Sequence, residues 1–155
     1  MNEEHTAKER RGPSMKIALP VWENKISPVL DTASRLLIVE IKEGGEISRF
    51  EVFLDERNPS RRCHRILGMG VNAVICGAVT RHFSEMLKAS GIKLIPGISG
   101  QPDDVLHACL EGKLEQPRFF MPGCTGDGLE EQLSALGFTA NLKRKAQPGE
   151  NKSHG

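Results

Sequence analysis

A chain of 155 residues is long enough to bury a core of its own and short for two domains. Its 21 Lys and Arg against 20 Asp and Glu leave a net charge of +1, no global field to draw nucleic acid or an anionic membrane. No run reaches the roughly 18 apolar residues of a membrane helix, and the four cysteines (63, 76, 109, 124) have neither CxxC nor zinc-finger spacing, so reduced thiols in a cytoplasmic protein are expected.

Residues 1–14 mix both charges and lack the apolar stretch of a secretory signal, which predicts a disordered N-terminal arm. A strand is expected over Lys16–Trp22, with Pro20 marking an edge or the point where pairing ends. Glu23–Asp31 reads as a loop. Ser34–Lys42 and Glu46–Leu54 read as strands joined through Glu43, Gly44 and Gly45, so the first three strands form an antiparallel meander, with Lys16–Trp22 placed at its centre.

The pattern then changes to helices alternating with strands. Asn58-Pro59 opens a helix whose apolar face is Cys63, Ile66 and Leu67 and which ends at Gly68–Gly70. Ala73–Val79 is an unbroken small-apolar run, as expected of a strand buried on both faces of a parallel sheet. Thr80 caps the next helix, which buries Phe83, Met86 and Leu87 and stops at Ser90-Gly91, with Gly91 in the left-handed region. Lys93–Pro96 completes a right-handed βαβ unit, and ligands of such sheets sit beyond the carboxyl ends of strands, here near Cys76-Gly77. A helix after Gln101-Pro102 carries Asp103 and Asp104 in its first turn and buries Val105, Leu106, Cys109 and Leu110.

Residues 117–138 form a C-terminal extension. Cys124 stands in a Gly-flanked turn, and Asp127 with Glu130 makes a capping box for a short helix that aligns Leu129, Leu133 and Leu136. Residues 139–155 read as a disordered tail. The fold class is therefore α/β, a single domain with a mixed sheet: a three-stranded antiparallel meander followed by αβαβα, over about residues 15–116.

Five segments, MKIALPV (15–21), ISPVLDTASRLLIVEI (26–41), GVNAVICGAV (70–79), LKASGIKLIPGISG (87–100) and DVLHACLEGKL (104–114), resemble the dinitrogenase iron-molybdenum cofactor biosynthesis family. The resemblance implies a ribonuclease H-like fold and a role in carrying or inserting iron-sulfur or iron-molybdenum cluster precursors, in anaerobes. Members with a cluster role often have a His-Phe-Gly triplet between the first two strands, its His a proposed metal ligand. Here those positions read Val29-Leu30-Asp31, so a cluster would need other ligands.

Thiolate and imidazole suit iron-sulfur clusters and transition metals, which makes Cys63, Cys124 and His64 the candidate metal and cofactor-binding residues. Arg61, Arg62 and Arg65 near the helix start would favour a thiolate and an anionic cargo, or else form a solvated face. Cys63 also aligns with Ile66 and Leu67 as a small core residue, and adjacent helical positions point about 100° apart, against joint chelation with His64. Packing equally accounts for Cys76 and Cys109; His82 and His107 fall on polar faces, and Trp22 either packs or shields the following loop.

Other chemistries lack their parts. The first strand carries no acid for a two-metal nuclease, no phosphate loop is present beyond the weak Gly97–Gly100 turn, and a chain with one Trp and no Tyr offers little stacking for RNA. The expected protein is not an enzyme but a metallocluster-binding, carrier or accessory protein. Its partners are a cluster donor or acceptor, and a cluster shared between two chains would make it a homodimer. The alternatives are an interaction or regulatory module that has lost its metal site, or a small-molecule-binding domain using the strand ends at Gly77 and Gly97.

Overall fold

The computed structural model describes residues 14–114 and 116–122. They form a mixed α/β unit with six strands: β1 (Ser14–Trp22), β2 (Lys25–Ile26), β3 (Arg35–Lys42), β4 (Gly45–Phe53), β5 (Ala73–Ile75) and β6 (Lys93–Ile95). The helices are α1 (Pro59–Gly68), α2 (Arg81–Ala89) and α3 (Pro102–Leu110), with 3-10 turns at Leu30–Thr32 and Pro117–Phe119. The predicted disordered ends, Cys124 and the 127–137 helix lie outside the described residues, apart from Ser14, which already belongs to β1.

The sheet order is β4-β3-β1-β5-β6, with β2 folded back against the end of β1. β4, β3 and β1 pair antiparallel, while β1, β5 and β6 pair parallel, so the meander and the βαβ unit share β1. β1 is central to the whole sheet, but the middle of the meander is β3, contrary to expectation. The Glu43-Gly44 turn, with φ of 55° and 78°, hairpins β4 onto β3 and leaves the far edge of β1 open for β5.

Pro20 sits in this central strand because its missing N–H falls where no ladder bond is needed. β5 pairs only with Ile17 and Ala18, and beyond them the Pro20 carbonyl accepts from Ser27 N–H at 2.8 Å.

Each face of the sheet is covered. Ile17, Leu19, Leu37 and Val39 pack with Val105, Leu106 and Cys109 of α3. Ala18, Leu36, Ile38 and Val74 pack with Cys63 and Ile66 of α1 and Phe83 and Leu87 of α2. Asn58 and Thr80 cap α1 and α2, accepting from Arg61 N–H at 3.1 Å and Phe83 N–H at 3.3 Å, and Gly91 takes φ 90° behind α2. Leu67 is not on the buried face of α1; it is 41 % exposed. The strand expected over 73–79 pairs only as far as Ile75, because the following residues turn beneath a loop that crosses the sheet end.

Candidate functional site

The parallel strands β1, β5 and β6 bring their carboxyl ends to one edge, and the loop over residues 27–34 is laid across it. Gly77 lies under this loop. A Cβ there would stand 2.7 Å from the Pro28 carbonyl oxygen and 2.9 Å from that of Ser27. Ala78 N–H donates to Pro28 O and Leu30 N–H to Ala78 O, both at 2.8 Å, which makes a parallel bridge between Val29 and Ala78. The close approach read from Gly77 is therefore made by the chain's own backbone. Gly97 is covered in the same way: its N–H donates to Gly77 O at 3.0 Å, and its carbonyl accepts from Met121 N–H at 2.9 Å.

Two side chains hold the loop from below. Arg62, read as part of a solvated face, is buried with 4 % exposure, while Arg61 and Arg65 are exposed. It lies one helical turn before Ile66, so it falls on the buried stripe of α1, a placement the spacing alone would have given. Its Nη2 donates to Leu30 O at 2.8 Å and Ala33 O at 2.9 Å, its Nη1 donates to Glu56 O at 2.9 Å, and the guanidinium lies 6.0 Å from the centroid of the Phe83 ring. Burial pulls this guanidinium below its ordinary pKa, opposed by the charges of Asp31 and Glu56. On the other side Asp31 accepts from Thr80 N–H at 2.9 Å and from its hydroxyl at 2.6 Å. The loop is thus fastened to the start of both α1 and α2.

Held in this way, the loop walls two open clefts. One, of about 390 Å³, is lined by Val21, Trp22, Ser27, Val29, Thr32 and Ser34, with Pro28 and Ala33 completing it. Trp22 is 58 % exposed beside it, so it is neither packed in the core nor sealed over the loop. The other, of about 410 Å³, lies between Asp31, Thr32, Ser34 and the approach to α1 at Asp55, Arg57 and Arg62. The first cleft offers hydroxyls, backbone and an indole face, and its walls contain no carboxylate, thiol or imidazole.

The expected ligands are not gathered there. Cys63 is 6 % exposed, packed in the α1–α2 core with its Sγ 3.5 Å from Ser90 Oγ, so a cluster would reach it only after α1 and α2 part. His64, the next residue, is exposed on a different face, and Cys124 lies outside the described residues. Among the described residues no group of three or more His, Cys, Asp or Glu is placed to hold a metal ion. Cys76 and Cys109 are fully buried, and burial pushes both thiols up to about 12, so they pack as neutral thiols. His82 and His107 are exposed, the latter 2.9 Å from Glu111.

A family model described as dinitrogenase iron-molybdenum cofactor matches residues 13–112. An uncharacterized protein of Methanocaldococcus jannaschii, MJ0580, is 34 % identical over 110 residues, spanning 66 % of this chain and 91 % of its own. Among solved structures, PH0822 superposes with a TM-score of 0.61 at 21 % identity over 64 % of this chain and 93 % of that one. The mj0327 protein of Methanocaldococcus jannaschii superposes with a TM-score of 0.55 at 24 % identity, over 65 % and 92 %. At these identities the superpositions speak for the fold.

Proposed function

The chain belongs to the dinitrogenase iron-molybdenum cofactor family, and from that premise we propose that it is a non-catalytic accessory protein that binds a metallocluster, or a precursor of one, and passes it to a partner protein. The cargo docks in the cleft beside Trp22. The observation that carries this reading is the make-up of that cleft: an exposed indole, the Ser27, Thr32 and Ser34 residues, and apolar walls on a loop pinned at both ends. Such a surface suits a body that brings most of its own coordination and is held by contact and hydrogen bonds. Its walls carry no carboxylate, thiol or imidazole, and Asp31, on the neighbouring cleft, is engaged by Thr80.

Covalent ligation, where it occurs, falls to thiols. Cys124 is the proposed thiolate, with Cys63 joining only when α1 and α2 separate and His64 as a weaker, surface ligand. Two thiolates do not complete the four-cysteine shell of a single-chain iron-sulfur site, so external thiols or a second chain supply the rest, as suits cargo that must leave again.

One observation favours the reading of an interaction or regulatory module. The residues at the family's ligand triplet have structural employment: Val29 bridges Ala78, Leu30 is fully buried, and Asp31 binds Thr80. Purification without oxygen, followed by assay of bound iron, molybdenum and sulfide, separates the two readings. Retained metal with matching sulfide in wild type, reduced in Cys124→Ser, supports the carrier; a wild type that holds none supports the module.

A further inference from the structure

β4 is an outer strand of the sheet. β3 takes one of its edges, and among the described residues no strand takes the other. It also carries three of the five exposed large hydrophobics of the described chain: Ile47, Phe50 and Phe53, at 51, 50 and 70 % exposure. An edge strand with free N–H and C=O groups and exposed aromatic residues is a template for another strand unless its charges repel one.

We propose that β4 pairs antiparallel with β4 of a second copy of this chain, about a two-fold axis through Phe50. Directly opposed residues of an antiparallel pair share a face, and a two-fold axis normal to the sheet keeps each face on its own side. The axis must therefore pass through a residue opposed to its own copy. The charges then choose which. An axis through Arg49 or Glu51 sets like charges against each other, and one through Ser48 sets Glu46 against the partner's Phe50. An axis through Val52 pairs only the last residues of the strand.

An axis through Phe50 puts Arg49 opposite the partner's Glu51 twice over, Ser48 opposite the partner's Val52, and Ile47 beside the partner's Phe53. On the other face, which Ser48 and Val52 share, the two Phe50 rings meet. The ion pairs already present extend naturally across this seam. Arg35 lies 3.1 Å from Glu51, and Arg49 lies 2.6 Å from Glu46 and 2.8 Å from Asp103. The dimer continues that row with alternating sign, and cross-strand pairs of opposite charge stabilise a sheet where like charges do not. The irregularity between Glu40 and Ile41 in the β3–β4 ladder lies at the start of β4, outside the paired segment 48–52.

The test is sedimentation equilibrium of the full chain over a wide concentration range, joined to cysteine crosslinking in a Cys124→Ser background. Wild type is expected to show a monomer–dimer equilibrium. Arg49→Glu and Glu51→Arg should each shift it to monomer, and the double variant should recover the dimer. On mild oxidation Phe50→Cys should form a disulfide-linked dimer, because opposed Cα atoms lie about 4.5 or 5.5 Å apart, inside the roughly 4.4–6.8 Å a disulfide spans. Ser48→Cys should not, its copies being offset by about 13 Å along the strand, whereas a mixture of Ser48→Cys and Val52→Cys chains should crosslink. The positions are at the surface, so circular dichroism confirms that each variant is folded. A chain that is monomeric at every concentration overturns the proposal and leaves the edge to a strand of another protein. So does a dimer indifferent to both charge reversals, or one that crosslinks through Ser48→Cys alone.

Discussion

The Nη2 of Arg62 lies 2.8 Å from the carbonyl oxygen of Leu30, a contact that ties the first turn of α1 to a loop 32 residues earlier in the chain. The same guanidinium serves Ala33 and Glu56, while its Nε is buried without an acceptor among the described residues. The loop over residues 27–34 is therefore held by a charge taken out of water, with its cost met by three carbonyls and the Phe83 ring.

Arg62→Ala strands these carbonyls and opens a hole beside Phe83. A loss of about 3 kcal/mol in unfolding free energy is expected, measured by urea denaturation. Arg62→Lys should recover little, since a single ammonium cannot span two segments as the planar fork does. Wild-type stability in Arg62→Ala would show that the loop is held by other means.

Gly77→Ala tests the crossing itself. A methyl 2.7 Å from the Pro28 oxygen has backbone to push against, so the loop must lift. The expected cost is about 1–3 kcal/mol, with altered Trp22 emission because the lifted loop walls the cleft beside it. Unchanged stability and emission would mean that the loop shifts freely over Gly77.

Thr80 serves both ends of a chain of bonds, accepting from Phe83 N–H and donating to Asp31. Thr80→Ala should cost about 1–2 kcal/mol, and Thr80→Ser, which keeps the hydroxyl, should restore most of it. A serine variant as weak as the alanine one would place the effect in the lost methyl instead.

These attachments mark the boundary of what the sequence discloses. Local signals carried the elements: the apolar run from Ala73 located β5, Asn58-Pro59 and Thr80 located two helix starts, and Gly91 took the positive φ its position asked for. Long-range contacts decided the rest. β5 stops at Ile75 because residues 27–30 come across Gly77, whereas β2 is a short local return onto the end of β1 within the stretch read as loop. Spacing from Ile66 would have put Arg62 on the buried stripe of α1, but the loop carbonyls that meet it come from residues about 30 positions earlier. The cleft is formed by residues from the end of β1 and from the loop, which lie in segments that resemble the family but carry no ligand-type side chain to mark a site.

The buried thiols predict an alkaline limb. Cys76 and Cys109 are pushed from 9.0 to about 12 by burial, with the charge of Asp31 adding to the effect at Cys76. Each raised pKa means that the unfolded chain gives up its proton first. The stabilisation is complete below about pH 9, declines as pH rises, and is gone above about 12. Cys76→Ala and Cys109→Ala should each flatten the decline in stability between these limits, as read by urea midpoints across pH. An unchanged slope in both would indicate that the thiols ionise in the folded chain.

Trp22 is the only tryptophan and stands at the mouth of the proposed docking cleft, so its emission reports on that place alone. The most direct measurement is an anaerobic titration of the protein with iron, sulfide and molybdate, following Trp22 fluorescence and cluster absorption together and assaying metal after desalting. The carrier account predicts saturating quenching in step with the absorption band, with metal and sulfide retained on the protein. Absorption that grows while Trp22 emission stays constant, or a desalted protein free of metal, would contradict it.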